Sequence, residues 1–290
     1  VIGGLTVSDA HAHASTIGLG AARIASKFKE AGGWFISFVS LPPHYYGLTH
    51  SFEDIRRSID IHVRQCNEAR RAGIRVACIA GIHPAVIDKL VRLLGPSKYD
   101  YLRRGILNII DYIVRLKVRG LIDGYGEFGR PHYKTLPTSI VFNEMVMFKM
   151  LEVLRDYGGV LHLHLEQGGN ITVDSINTVS QILKAPKAKV ILHHSTAAMA
   201  IRADKHHMSS TIVGRKDGLK ELVINRKHKP ELVLVESDFI DDPKRPGAVM
   251  YPWEIANEAT SLISEYREAE ESLYRIMVDN VSKVYGVDPY

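Results

Sequence analysis

The chain has 290 residues, 46% hydrophobic and 24% charged, with a net charge of +5, which excludes a disordered polymer. No run of about 18 apolar residues occurs, so no membrane span is expected, and Cys66 and Cys78 are too few for a disulfide scaffold or a cysteine-built zinc module. No basic patch leads into an apolar stretch at the start, so a reducing, cytoplasmic setting is expected.

In chain order, residues 5–8 predict a strand, 21–31 a helix and 34–40 a strand rich in aromatic and β-branched side chains. Residues 51–71 predict a helix: Ser51 and Asp54 resemble a capping box, and Ile55, Ile59, Val63 and Cys66 recur at helical spacing before Gly73. A strand at 75–82, a short helix at 84–94 and a longer one at 101–118 follow. Strands at 121–126, 160–165, 189–193, 208–213 and 232–236 complete eight, with helices at 138–157, 173–183 and 252–284. Strands alternating with helices imply parallel pairing through right-handed crossovers. Eight such units predict a single domain over 1–290, an α/β fold of the (β/α)8 TIM-barrel type. The alternative, an open doubly wound sheet, calls for a glycine-rich turn after the first strand, and Gly18-Leu19-Gly20 lacks the third glycine.

The 14 histidines are the unusual feature, because imidazole is the commonest metal ligand. The first strand leads into His11-Ala12-His13, and side chains at i and i+2 of an extended chain share one side. The fourth ends at Glu127, flanked by glycines. The fifth carries His162 and His164. His164, nearer the C-terminal end, is the expected ligand, and His162 a core residue one layer deeper. The sixth ends in His193-His194, of which His193 continues the inward phase of Ile191. The eighth runs into Asp238, with Glu236 one layer below. In a barrel the C-terminal strand ends converge, so His11, His13, Glu127, His164, His193 and Asp238 are expected to meet. Four imidazoles and two carboxylates suit Zn2+, with Mn2+, Ni2+, Co2+ or Fe2+ as competitors, and are too nitrogen-rich for Mg2+ or Ca2+. Six ligands exceed the need of one tetrahedral ion, so two divalent ions sharing Glu127 are expected, with Asp238 as general base.

The ordered set SDAHAH, GIHPA, GYGEFGRPHY, VLHLHLE, VILHHS and VESDFIDDP resembles the TatD-related branch of the amidohydrolase (urease-like) superfamily, most of all its predicted archaeal metal-dependent hydrolases. The resemblance runs from the first strand to about residue 252. It implies a distorted TIM barrel with His11, His13, Glu127 and Asp238 around one metal, and Glu127, His164 and His193 around the other. His83, in the Gly-x-His-Pro turn, is implied to contact substrate or support a ligand. Glu127 stands where many superfamily members carry a carboxylated lysine. Bacterial TatD nucleases follow the fifth-strand histidine with Ser-Arg, whereas this chain has Leu165-Glu166. Arg130 is the candidate replacement for that phosphate contact, or else pins its own loop, and His132 beside it is a further candidate substrate contact.

The expected activity is divalent-metal-dependent hydrolysis, with phosphodiester bonds in nucleic acid as the first substrate class. The alternatives are a small-molecule amidohydrolase, esterase or deaminase, and a non-catalytic binding module stabilised by metal. Against a deaminase, His164-Leu165-Glu166 lacks the His-x-x-Glu spacing. No obligate protein partner is evident. The basic run at 226–229 falls at the opposite barrel end, while Lys244 and Arg245 fall on the active rim with Arg202, Lys205, His206 and His207. Tyr45-Tyr46 is expected to line the pocket or pack in the core.

Overall fold

In a computed structural model, which describes residues 6–226 and 228–289, the eight apolar runs form eight parallel strands paired in chain order. They are β1 (Val7–Ala12), β2 (Gly33–Val39), β3 (Arg75–Ala80), β4 (Gly124–Gly129), β5 (Leu161–His164), β6 (Val190–Leu192), β7 (Ser209–Val213) and β8 (Val233–Glu236). Leu5, expected to open the first strand, lies outside the described residues. The sheet returns on itself through the end of β1, where Asp238 N donates to His11 O (3.0 Å) and His13 N to Phe239 O (2.8 Å). The result is a distorted TIM barrel.

Alternation sorts the core into two shells. Ala10, Phe35, Val39, Ala77, Ile79, Ile191 and Leu234 fill the barrel. Their sequence neighbours face the helices. Those helices are α1 (Ala21–Glu30), α2 (Phe52–Arg70), α3 (Pro84–Leu94), α4 (Tyr99–Val118), α5 (Pro137–Tyr157), α6 (Asn170–Ile182), α7 (Ala197–Lys205) and α8 (Lys216–Lys220). Ser51 caps α2 by accepting from Asp54 N at 3.1 Å. Helices α7 and α8 span nine and five residues, too short for an apolar period to stand out in sequence. Among the described residues no helix is long and apolar enough to cross a membrane.

Several boundaries differ from expectation: the first strand, expected at 5–8, runs on to Ala12 and so contains His11, and two later differences are larger in effect. The strand expected at 121–126 runs from Gly124 to Gly129, because Leu121 N donates back to Leu116 O (3.0 Å) and residues 121–123 serve to end α4. Glu127 is therefore inside the strand. The helix expected at 252–284 is broken. Helix α9 (Glu254–Glu265) stops where Tyr266 leaves helical geometry (φ −134°, ψ 85°). Helix α10 (Ala269–Tyr274) then continues through a π-helical turn, Arg275–Asp279, into α11 (Asn280–Tyr285). This last helical stretch closes the N-terminal end of the barrel. Val278, Val281 and Val284 pack against the barrel filling, and Trp34 Nε1 donates to Met277 O at 2.9 Å.

At the opposite end β4 and β5 approach closely. Gly129 pairs with His164 and has φ +135°, and a Cβ there would lie 2.1 Å from the His164 carbonyl oxygen. Gly129→Ala is expected to destabilise the fold by at least ~3 kcal/mol, combining backbone strain with a clash that no side-chain motion relieves. Urea unfolding of both proteins measures it, and a change below ~1 kcal/mol would show that the two strands can separate there.

Candidate metal centre

The mouth of the barrel is built from the strand ends upward. Beneath it, the fully buried Asp9 joins the first and last strands. Its Oδ1 accepts from His11 N (3.1 Å) and Ser237 N (2.9 Å), and its Oδ2 accepts from Ser237 Oγ. Burial pushes the Asp9 carboxyl up to about 7, against the pull of these donors. Sequence reasoning missed Asp9, although it stands only two residues before His11.

His13 Nδ1 donates to Val39 O at 2.8 Å. In the neutral ring that leaves a lone pair on Nε2, which points at Glu127 Oε1 3.1 Å away. Two acceptors face each other, and only a proton or a cation between them relieves the repulsion. His11 Nε2 lies 3.2 Å from the same oxygen and 3.3 Å from His13 Nε2, while its Nδ1 meets His162 Nδ1 at 2.9 Å. His162 is fully buried one layer down, and its Nε2 meets Tyr285 Oη at 2.9 Å.

The other oxygen of Glu127 faces a second set. His164 Nδ1 is 2.8 Å from Oε2 and His193 Nε2 is 3.4 Å from it. These two imidazole nitrogens lie 3.2 Å apart, and the buried His164 Nε2 has no partner among the described residues. Burial alone would raise the Glu127 carboxyl, but His193, His83, His11 and His13 hold it well below its usual range. Burial opposes a charge on His193, yet Glu127 and Glu236 raise it well above the usual imidazole range. Glu236 Oε2 lies 3.4 Å from His193 Nδ1, and its Oε1 accepts from His194 N at 2.7 Å. One carboxylate thus sets the orientation of His193 and turns His194 (φ +43°) to the rim.

His83 caps α3, its Nδ1 accepting from Ala85 N at 3.0 Å. The neutral ring therefore carries its proton on Nε2, 3.6 Å from Glu127 Oε2. Burial keeps it neutral, at about 3. His132 stacks edge-on to His164 with ring centres 4.5 Å apart. Asp238 (φ +49°) has its Oδ1 3.8 Å from His13 Nε2, and burial pushes its carboxyl up to about 7.

The structure brings His13, Glu127, His164, His193, Asp238, His83 and His132 around one hollow of about 550 Å³, with the fully buried His11 against Glu127. Its wall includes Leu41, Pro42, Tyr45, Ala85, Val213 and Ile240, and no Lys or Arg among the described residues. Arg130 is not in that wall. Its guanidinium is tied to Glu144, to Glu166 Oε1 (2.9 Å) and to Ser175 Oγ (3.0 Å), which fastens its loop to α5 and α6. Arg202 and His206 pair with Asp174, and His228 pairs with Asp204, while Lys227 lies outside the described residues. Tyr46 turns into the core, its Oη accepting from Leu41 N.

Several triads in this mouth place one donor atom each within 4.8 Å: His11–His13–Asp238, His83–Glu127–His164, His11–His193–Glu236 and His132–His164–His194. Barrel and donor set together define a metal-binding hydrolase of the amidohydrolase type. The chain belongs to the TatD related DNase family, whose model matches residues 8–286. It is 23% identical over 290 residues to an uncharacterized protein of Methanocaldococcus jannaschii, covering 99% of this chain and 98% of the other. Among solved structures it resembles a TatD homologue from Escherichia coli (TM-score 0.64, 14% identity, 98% and 99% of the two chains). It also resembles a TatD-like protein from Archaeoglobus fulgidus (TM-score 0.60, 15% identity, 97% and 100%).

Proposed function

We propose that the chain is a two-ion hydrolase, with His11, His13, Glu127 and Asp238 holding one divalent cation and Glu127, His164 and His193 the other. The observation that carries this reading is the division of one buried carboxylate between two imidazole pairs: Oε1 toward His11 and His13, Oε2 toward His164 and His193. The residues fit such ions: the His13 lone pair opposes a carboxylate oxygen, a pairing that a cation held between them satisfies. Nitrogen-rich donors favour Zn2+, with Mn2+, Ni2+, Co2+ and Fe2+ as competitors.

When bound, the cations supply Lewis acidity at the scissile centre and acidify water there. The protein supplies the rest. Asp238, on the cavity wall with 18% of its side chain exposed, takes the proton of the attacking water and returns it to the leaving group. His83 presents an Nε2–H donor to a substrate oxygen, and His132 also lines the hollow. Asp9 and Glu236 hold the first and sixth strand ends in place.

The preferred substrate is a phosphodiester whose reacting end fits the hollow, such as the terminus of a single nucleic-acid strand. Two divalent ions outweigh the two carboxylates that hold them, so the loaded site attracts an anion. The family's description also names a DNase. A second reading, hydrolysis of a small ester, lactone or amide, is favoured by the wall, which lacks Lys and Arg and carries apolar side chains. Turnover of a chromogenic phosphodiester and of a single-stranded oligonucleotide is expected to fall at least ~100-fold on chelation and to return with a divalent ion. Metal-loaded protein that cleaves lactones or amides and no phosphodiester would favour the second reading. Activity untouched by complete metal removal would refute both.

A further inference from the structure

We propose that His62, Cys66 and Cys78 form a separate metal site in the outer wall of the barrel, suited to a thiophilic cation, Zn2+ or Cu+. His62 and Cys66 are four residues apart on α2, on the face that packs against the barrel. On β3, Ala77 and Ile79 belong to the barrel filling, so alternation sends Cys78 outward to meet them. One donor atom from each of the three lies within 4.8 Å of the other two. Cys66 Sγ is 3.5 Å from His62 Nε2. A zinc ion bonded to sulfur at ~2.3 Å and to nitrogen at about 2.0–2.1 Å, at a tetrahedral angle, sets those atoms about 3.5 Å apart.

All three side chains are buried, His62 to within 1% exposure. His62 Nδ1 has no hydrogen-bond partner among the described residues, so the ring is stabilised only from its sulfur side. Thiols are weak partners, a poor exchange for the water that a buried imidazole gives up, whereas a bonded cation is a strong one. The thiols also differ: burial pushes Cys66 up, while Cys66 and His62 draw Cys78 down to about 6 against burial. Thiolate is the form that binds metal. The triad shares no residue with the barrel mouth, whose donors are nitrogen and oxygen, so it stands or falls independently of the hydrolase reading.

The test uses the full chain expressed in cobalt-supplemented medium and then exposed to excess Co2+. The expected result is near-ultraviolet sulfur-to-cobalt charge-transfer absorption equivalent to one ion per chain. Cys66→Ser and Cys78→Ser each abolish it, while cobalt at the mouth is retained. Should a variant fail to fold, the wild-type spectrum decides alone, because these are the only two cysteines. Elemental analysis of protein made without added cobalt separates zinc from copper. No such absorption, with both thiols reacting freely after unfolding, would overturn the proposal. So would thiols that react only after reduction, which would mark a Cys66–Cys78 disulfide.

Discussion

Glu127→Gln is expected to abolish hydrolysis, lowering kcat at least ~10³-fold, and to reduce the metal bound at the barrel mouth from two ions to one or none. The substitution keeps the shape of the side chain and removes its charge. Both carboxylate oxygens face imidazole nitrogens, at 3.1–3.2 Å on one side and 2.8–3.4 Å on the other. An amide presents an acceptor to one set and two N–H donors to the other, and a donor cannot share a cation with the imidazoles it faces. Metal content by mass spectrometry, read beside phosphodiester turnover, checks both halves. Two ions retained at the mouth with unaltered turnover would remove Glu127 from the bridging role.

Asp238→Asn separates proton transfer from metal binding. The expected result is a kcat lower by ~10²–10⁴, with most of the metal retained on the other five ligands. The sign of the pH effect follows from the base role, since Asp238 must be deprotonated to accept a proton. Burial places its carboxyl near 7, and bound cations pull it lower. Wild-type kcat/KM therefore rises with pH through a limb at or below 7, and the variant lacks that limb. Profiles of both proteins at fixed metal occupancy decide the matter, and an acid limb unchanged in the variant assigns the titration to another group.

Much of this architecture is local in origin and was legible as such. The strands announce themselves by composition, α2 by its Ser51 cap and helical spacing, and the paired histidines by a spacing of two. What was not legible depends on partners distant in sequence. Nothing near Arg130 shows that Glu144, Glu166 and Ser175 will occupy its guanidinium. Nothing near Asp9 shows that Ser237, 228 residues later, will take its carboxylate. The start of β4 is hidden because Leu121 and Ile122 are as apolar as strand residues and yet follow the end of a helix, a choice made by hydrogen bonding of Leu121 to Leu116. The tautomers of His13 and His83, which separate a ligand from a donor, follow from backbone partners that no side-chain pattern encodes.

The plug at the barrel's floor has a consequence for the mouth at the other end. Tyr285 Oη reaches up to the Ala10 carbonyl (3.1 Å) and to His162, which in turn holds His11. The orientation of a ring on the first strand is thus set by a hydroxyl on the last helix, so His11 is braced from beneath only when these two distant parts of the chain are packed together.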